Sequence, residues 1–188
     1  MKYYILLFLG LTITTFACRN VGQKSLADIE KQELATGIRN DSLFMGLTLG
    51  MSKQEFFDFC WAMNKKGVFT DGEEKTVEYV FGKKNFAFPL QMNFYPQFKY
   101  DKISEMPIKF TYKGIDLSYP NGQTEKLLKD VKGLMEEWYG TGFFITPLPK
   151  GEKGQNAFAK VSGNRRVLIF SEKEFEVMVL VTDLTAGQ

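Results

Sequence analysis

The most clearly specified helix in the chain is predicted within residues 46–67, GLTLGMSKQEFFDFCWAMNKKG, and the other elements are assigned relative to it. Ser52 and Glu55 have the spacing of a capping box, in which each side chain binds a backbone N–H that the first turn leaves unpaired. Gly67 follows two lysines and is typical of a left-handed helix end. The apolar residues between them share one face, at the spacing i, i+3, i+4, i+7: Phe56, Phe59, Cys60 and Met63.

Strands are predicted by the period-two alternation of apolar and polar residues after this helix. The predicted ranges are 76–81, 86–94, 106–112, 143–146, 157–161, 166–170 and 175–181. A second amphipathic helix is predicted from Gln123 to Tyr139, with Gly140 at its end, and Ser162-Gly163-Asn164 is typical of a tight hairpin. This order predicts an α+β fold, with two helices packed on one face of an antiparallel sheet.

The composition excludes several classes of chemistry. The chain has 188 residues, 24 of them basic and 22 acidic, and it has no histidine. The absence of histidine excludes Ser-His-Asp and Cys-His catalysis and removes the commonest zinc ligand. A nearly balanced charge gives no electrostatic reason to expect nucleic acid as a partner.

The amino terminus has the pattern of an export signal. Residues 1–17 place one lysine before a short apolar run that ends in a small residue, which predicts a signal peptide. Thr15-Phe16-Ala17-Cys18 resembles a bacterial lipobox, and the resemblance implies cleavage before Cys18 and lipidation of its thiol. The alternative is an ordinary signal peptide followed by an unrelated cysteine. Residues 18–42 are polar, with at most a weak helix from residue 25 to 34, and predict a partly disordered tether.

The order of elements also carries a resemblance. A helix followed by a short meander, occurring twice, resembles the β-lactamase-inhibitor-like architecture, a class that includes the small accessory lipoprotein of the outer-membrane β-barrel assembly machine. Gly46-Leu-Thr-Leu-Gly-Met-Ser-Lys-Gln-Glu is similar to the entry of that class, a short strand, a glycine and a capped helix. The repeated order of elements predicts two tandem modules, about 43–119 and 120–188, within a domain over 43–188. In this the chain departs from the assembly-machine lipoprotein, which has a single short repeat.

The chain also resembles hypothetical lipoproteins of Bacteroidetes. In those proteins an acidic run after the lipidated cysteine marks export to the cell surface. The residues after Cys18 are not such a run. The resemblance therefore favours a protein anchored at the periplasmic face of the outer membrane.

Aromatic residues are concentrated in two segments. Phe57 and Trp61 form an i, i+4 pair about 100° round the first helix from its main apolar face. The second segment, 92–100, is interrupted by proline. Either these side chains belong to the core, where the two modules meet, or they form a partner-binding surface, because aromatic residues are enriched at interface hot spots. The candidate partner-binding residues are Phe57, Trp61, Phe94, Tyr95, Phe98 and Tyr100.

No pattern in the sequence predicts catalysis, a metal site or a cofactor. Gly140-Thr141-Gly142 lacks the third glycine and the preceding strand of a nucleotide-binding loop, and Cys60 lies among apolar neighbours as an inert packing residue. We therefore predict a lipid-anchored, non-enzymatic envelope protein that binds another protein. The alternative is a periplasmic small-molecule carrier or a hydrolase that uses carboxylates or tyrosines such as Tyr79 and Tyr112 in a cleft between helices and sheet. A purely structural spacer is a third possibility.

Overall fold

A computed structural model describes residues 24–82, 86–114, 123–149 and 155–186, apart from the side chain of Glu172. The signal peptide predicted over 1–17 and the predicted lipidation site Cys18 lie outside these residues. The helices are α1 (Leu26–Ala35), α2 (Lys53–Lys65) and α3 (Gln123–Tyr139), with a short 3-10 turn at Glu73–Lys75. The strands are β1 (Thr70–Asp71), β2 (Val77–Phe81), β3 (Leu90–Phe94), β4 (Gln97–Lys99), β5 (Lys102–Tyr112), β6 (Phe144–Pro147), β7 (Asn156–Ser162), β8 (Arg165–Lys173) and β9 (Glu176–Asp183).

All nine strands of the described ranges belong to one antiparallel sheet. Its order is β1-β2-β3-β5-β9-β8-β7-β6, and β4 pairs with the first part of β5. The strands from the first half of the chain therefore occupy one half of the sheet, and those from the second half occupy the other. The two halves meet where β5 pairs with β9, from Glu105↔Thr182 to Phe110↔Val177. This arrangement confirms the predicted α+β class.

One face of the sheet carries the main hydrophobic core, and α2 and α3 both pack into it. Met92, Ile108 and Val179 are fully buried on the strands, and Phe56 of α2 and Val131 of α3 are fully buried in the same cluster. Because side chains alternate between the two faces of a strand, these positions explain the period-two pattern in the sequence. The helices predicted from their apolar faces are thus two of the three that the described residues contain.

The predicted ends of α2 and α3 are confirmed by their backbone geometry. The N–H of Ser52 donates to Glu55 Oε2 at 2.7 Å, and the N–H of Glu55 donates to Ser52 Oγ at 3.3 Å, which is the reciprocal capping box. Gly67 and Gly140 follow α2 and α3 with φ angles of +67° and +82°. Glycine adopts this left-handed conformation without the steric penalty that a Cβ atom imposes, so both helices end where the sequence predicts.

The opposite face of the sheet is covered in part by α1. Arg166 pairs across the sheet with Val161, on the face opposite to the core residue Val167. Arg166 Nη1 lies 2.9 Å from Glu30 Oε1 of α1, so α1 packs on this second face. Buried residues of β7 and β8 that lie outside the main core, such as Ala159 and its partner Leu168, belong to the same face.

The sequence predicts a partly disordered tether through residue 42. The structure corrects this prediction, because residues 24–42 are folded against the sheet. Ser25 and Asp28 form a capping box at the start of α1. After α1, the N–H of Asn40 donates to Asn164 Oδ1 at 2.6 Å, in the β7–β8 hairpin. Arg165 Nη1 donates to the carbonyl of Ser42 at 2.6 Å. These polar bonds to distant residues have no local periodicity, which is why the sequence pattern misses them.

The strand predictions are confirmed for the long strands. They differ from the structure before Pro89 and at the two shortest strands. Residues 86–88 form bends, and the strand begins only after Pro89, because proline cannot donate to a ladder. The short strands β1 and β4 are too brief to have a period of their own. The Ser162-Gly163-Asn164 hairpin is confirmed, with Gly163 at a φ of +58°. None of the helices in the described ranges is long and apolar enough to cross a membrane.

Candidate functional site

A groove of about 420 Å³ lies between α2 and the edge of the sheet at β1. We call it the aromatic groove. Three exposed side chains border it, Phe57, Trp61 and Tyr95, with exposed fractions of 42%, 63% and 39%. Buried Phe56 and Phe69 also line it, so its floor is continuous with the core. The groove therefore has an aromatic wall that begins in the interior and opens to solvent, and polar side chains complete its lining.

The geometry of α2 explains why it contributes two of these side chains. Phe57 and Trp61 are four positions apart, so they lie one above the other on the helix surface. Phe56, one position before Phe57, points into the core and is fully buried. Consecutive helix positions differ by about 100°, so α2 can bury one phenylalanine and expose the next. This agrees with the second apolar face that the sequence predicts for α2.

Tyr95 reaches the groove because the strand pairing is interrupted at this point. β3 ends at Phe94 and β4 begins at Gln97, which leaves Tyr95 and Pro96 between them. Phe94 points into the core and is 1% exposed, whereas the next residue turns outward. The Tyr95 ring lies 6.5 Å from that of Phe57, centroid to centroid. A proline that cannot donate to the ladder thus accompanies the break that brings a strand residue to the helix.

Two of the six predicted binding residues pack inward: Phe94 belongs to the core, and Phe98 packs against it. Phe94 packs edge-to-face on Phe44 and Phe69, at ring distances of 4.9 Å and 5.4 Å. Phe98 is half-buried and packs on Phe56 at 6.0 Å. The sequence places these residues beside Tyr95 but does not decide which of them point inward. Their assignment to a partner-binding surface is therefore corrected, and their contribution is to the packing beneath it.

Tyr100 is the most exposed of the six, at 84%, but it lies outside the aromatic groove. It forms the β4–β5 turn with Asp101, and both residues have positive φ angles, +50° and +61°. These angles are typical of a type I′ turn, whose twist matches that of the strands it joins. The structure therefore brings together Phe57, Trp61 and Tyr95 and leaves Tyr100 apart.

Polar side chains border the aromatic groove on the side of β1. Asn64 donates through Nδ2 to the carbonyl of Phe69 at 3.1 Å, which fixes the chain between α2 and β1. Asp71 and Lys75 also line the groove, and the Lys65 ammonium lies 3.4 Å from the centre of the Trp61 ring. A cation over an indole face is attracted by the charge distribution of the ring. The sequence gives no signal for this polar border, because β1 has only two residues.

The thiol and tyrosine side chains considered as catalytic candidates in the sequence are packed against other side chains. Burial raises the pKa of the Cys60 thiol to about 12, which keeps it protonated and unreactive at neutral pH. The Tyr112 hydroxyl donates to Asp130 Oδ2 at 2.6 Å, and burial raises its pKa above the ordinary value. Tyr79 packs half-buried between Phe69 and Phe81. Over the described residues, no group of three or more His, Cys, Asp and Glu side chains could hold a metal ion.

One buried cation is not apparent from the sequence. The guanidinium of Arg165 lies 4.5 Å from the centre of the Tyr139 ring, and both residues are more than nine-tenths buried. Burial lowers the pKa of Arg165 and raises that of Tyr139. Arg165 also binds the Ser42 carbonyl, so it joins the end of α3 to the segment that follows α1. These contacts indicate a structural role for Arg165.

Comparison with protein-family models, with curated proteins and with solved structures finds no match to this chain.

Proposed function

We propose that this chain is a lipid-anchored protein of the cell envelope that binds another protein through the aromatic groove and has no catalytic role. The observation that supports the proposal is the grouping of Phe57, Trp61 and Tyr95 around one groove. These are three of the large apolar side chains that are exposed in the described residues. Scattered single exposed residues are ordinary on a surface, whereas three exposed aromatic side chains around one groove favour an interaction site.

The composition of the groove is that of an interface hot spot. Trp and Tyr carry much of the binding energy at protein interfaces, and they act best where neighbouring contacts exclude water. Buried Phe56 supports the ring of Tyr95 at 5.9 Å, so this wall of the groove is held in place before a partner arrives. Preorganised side chains lose less entropy on binding. Asp71 and Lys75 supply a polar border of both charges.

The membrane attachment is proposed from the sequence. Thr15-Phe16-Ala17-Cys18 resembles a lipobox, and we propose that the mature protein begins at lipidated Cys18 and faces the periplasm at the outer membrane. We also propose that the chain belongs to the β-lactamase-inhibitor-like architecture as two tandem modules, about 43–119 and 120–188. In support, each half of the chain supplies one half of the sheet and one of the helices α2 and α3 to the shared core.

The proposal is tested by co-purification from detergent-solubilised envelopes with a tagged full-length chain. The variant is Trp61→Ser, and the matched control is Ile38→Ser, because Ile38 is 58% exposed and lies outside the aromatic groove. We expect a partner that is captured by the native chain and by the Ile38→Ser chain and is lost with Trp61→Ser. Equal capture by all three chains would contradict a role for the groove.

The lipid anchor is tested separately with Cys18→Ala. We expect the native chain to fractionate with membranes and to carry the mass of attached acyl chains, and we expect the Cys18→Ala chain to lose both properties. A native chain that lacks the added mass would contradict lipidation while leaving the groove experiment intact.

A further inference from the structure

A mainly apolar surface lies at the opposite edge of the sheet from the aromatic groove. It is an open depression of about 550 Å³ between the first turn of α1 and β6. Its apolar lining consists of Leu26, Ala27, Phe144, Ile145, Pro147 and Pro149. Ile145 is 58% exposed on β6, the last strand at this edge. We call this surface the α1–β6 corner.

The α1–β6 corner is also where the described chain begins. Lys24 and Ser25 line the depression, and only residues 19–23 separate Lys24 from Cys18. Six residues of fully extended chain span at most about 20 Å. If Cys18 carries the lipid, the corner is held within that distance of the bilayer at all times, about half the thickness of a membrane with its headgroups.

The aromatic groove lies far from this corner. β1 and β6 are the first and last strands in the sheet order, with seven strand spacings between them. At about 4.8 Å for each spacing, the two edges are about 34 Å apart measured along the sheet. The tether can therefore keep one edge at the membrane while the other edge is out of reach of it.

We propose that the α1–β6 corner rests on the bilayer surface, with Ile145 among the headgroups, and that the aromatic groove is directed into the periplasm. This inference depends on the lipid anchor of the proposed function. The occupant of the depression is the lipid surface, because the short chain to Cys18 presents that surface continuously. Glu30 and Arg166, which also line the depression, form an ion pair with each other. The exposed ammonium of Lys24, which donates to Gln32 Oε1, is the remaining charge beside the apolar lining and suits an interface with anionic headgroups.

The test uses the lipidated full-length chain in vesicles of phosphatidylethanolamine and phosphatidylglycerol. Cys60→Ala removes the remaining thiol, and a cysteine is then introduced as Ile145→Cys or, in the matched control, as Trp61→Cys. The two positions have nearly equal exposure, 58% and 63%; Ile145 lies on β6 at one edge of the sheet, and Trp61 lies on α2 beside the opposite edge. Each is labelled with a nitrobenzoxadiazole fluorophore, and the vesicles carry a nitroxide quencher on the lipid headgroup.

We expect several-fold stronger quenching of the label at position 145 than of the label at position 61. Equal quenching, or stronger quenching at 61, overturns the inference while the floating of the vesicles with bound protein still supports the anchor. A label at 145 that shifts to the blue without quenching indicates a protein in the depression and also overturns it. Protein that does not float with the vesicles overturns both the anchor and the inference that depends on it.

Discussion

The Phe56 and Tyr95 rings meet nearly at right angles, with centroids 5.9 Å apart and an interplanar angle of 89°. Phe56 is fully buried and Tyr95 is 39% exposed, so this edge-to-face pair joins the core to the wall of the aromatic groove. Such pairs add stability beyond the area that they bury. The groove and the core are therefore expected to respond differently to mutation, according to which side of this pair is changed.

Phe56→Ala is expected to destabilise the protein by about 3–5 kcal/mol, because it removes a fully buried ring and leaves a cavity. Trp61→Ala is expected to change the free energy of unfolding by less than about 1 kcal/mol, because Trp61 is 63% exposed. Urea denaturation of both variants measures the difference. A large loss of stability with Trp61→Ala would place this residue in the core.

Gly163→Ala is expected to destabilise the β7–β8 hairpin strongly. Gly163 has a φ of +58°, and a Cβ at this position would overlap the carbonyl oxygen of Ile38. Gly50→Ala is the control, because Gly50 also has a positive φ, +75°, but no described atom lies within 4 Å of its Cβ position. Thermal unfolding should give a loss of about 1–2 kcal/mol for Gly50→Ala and a larger loss for Gly163→Ala. Equal losses would show that strain alone matters.

Gly133→Ala is expected to stabilise the protein by about 0.5–1 kcal/mol. Gly133 lies inside α3, where a glycine loses more backbone entropy on folding than an alanine. No atom of the described residues would come within 4 Å of the new Cβ, so the substitution introduces no clash. The midpoint of urea unfolding should rise, with no change in the slope. A lower midpoint would indicate that α3 needs the glycine for close packing.

Asp183 is expected to make stability dependent on pH in the acid range. Burial acts to raise the pKa of Asp183, but hydrogen bonds from Thr185 and Asn164 outweigh it and hold the pKa below its ordinary 3.8. A lowered folded pKa stabilises the native state above pH 3.8, and this contribution disappears as the pH falls through the folded pKa. The stability difference between native protein and Asp183→Asn should shrink as the pH is lowered from about 5. A constant difference would contradict this assignment.

Cys60 is expected to resist alkylation in the folded protein. Burial raises its pKa to about 12, so the reactive thiolate is scarce at pH 8. In a Cys18→Ala chain, where Cys60 is the one remaining thiol, iodoacetamide should react at least about a hundredfold more slowly than after denaturation in urea. Mass spectrometry at timed intervals measures both rates. Rapid modification without denaturant would place the thiol in an exposed or activated setting.

The parts of the fold that local patterns specify are predictable from the sequence. The bounds of α3 and the caps of α2 follow from apolar spacing, a capping box and terminal glycines. The packing of α1 depends instead on single polar contacts, such as Glu30 with Arg166, between residues far apart in the chain. In the aromatic segment, alternation and composition do not predict which of Phe94 and Tyr95 is buried. The structure buries Phe94 and exposes Tyr95, because the strand is broken at Tyr95 and Pro96.

The position of β9 has a consequence for the order in which the protein can fold. β9 follows every other described strand in the chain, yet it lies between β5 and β8 near the middle of the sheet. A nascent chain that has emerged only as far as β8 can form two half-sheets but cannot join them. The joining contacts span long sequence separations, which slows their formation. Emergence of β9 is therefore the event that permits the native sheet, and the two half-sheets remain unjoined until then.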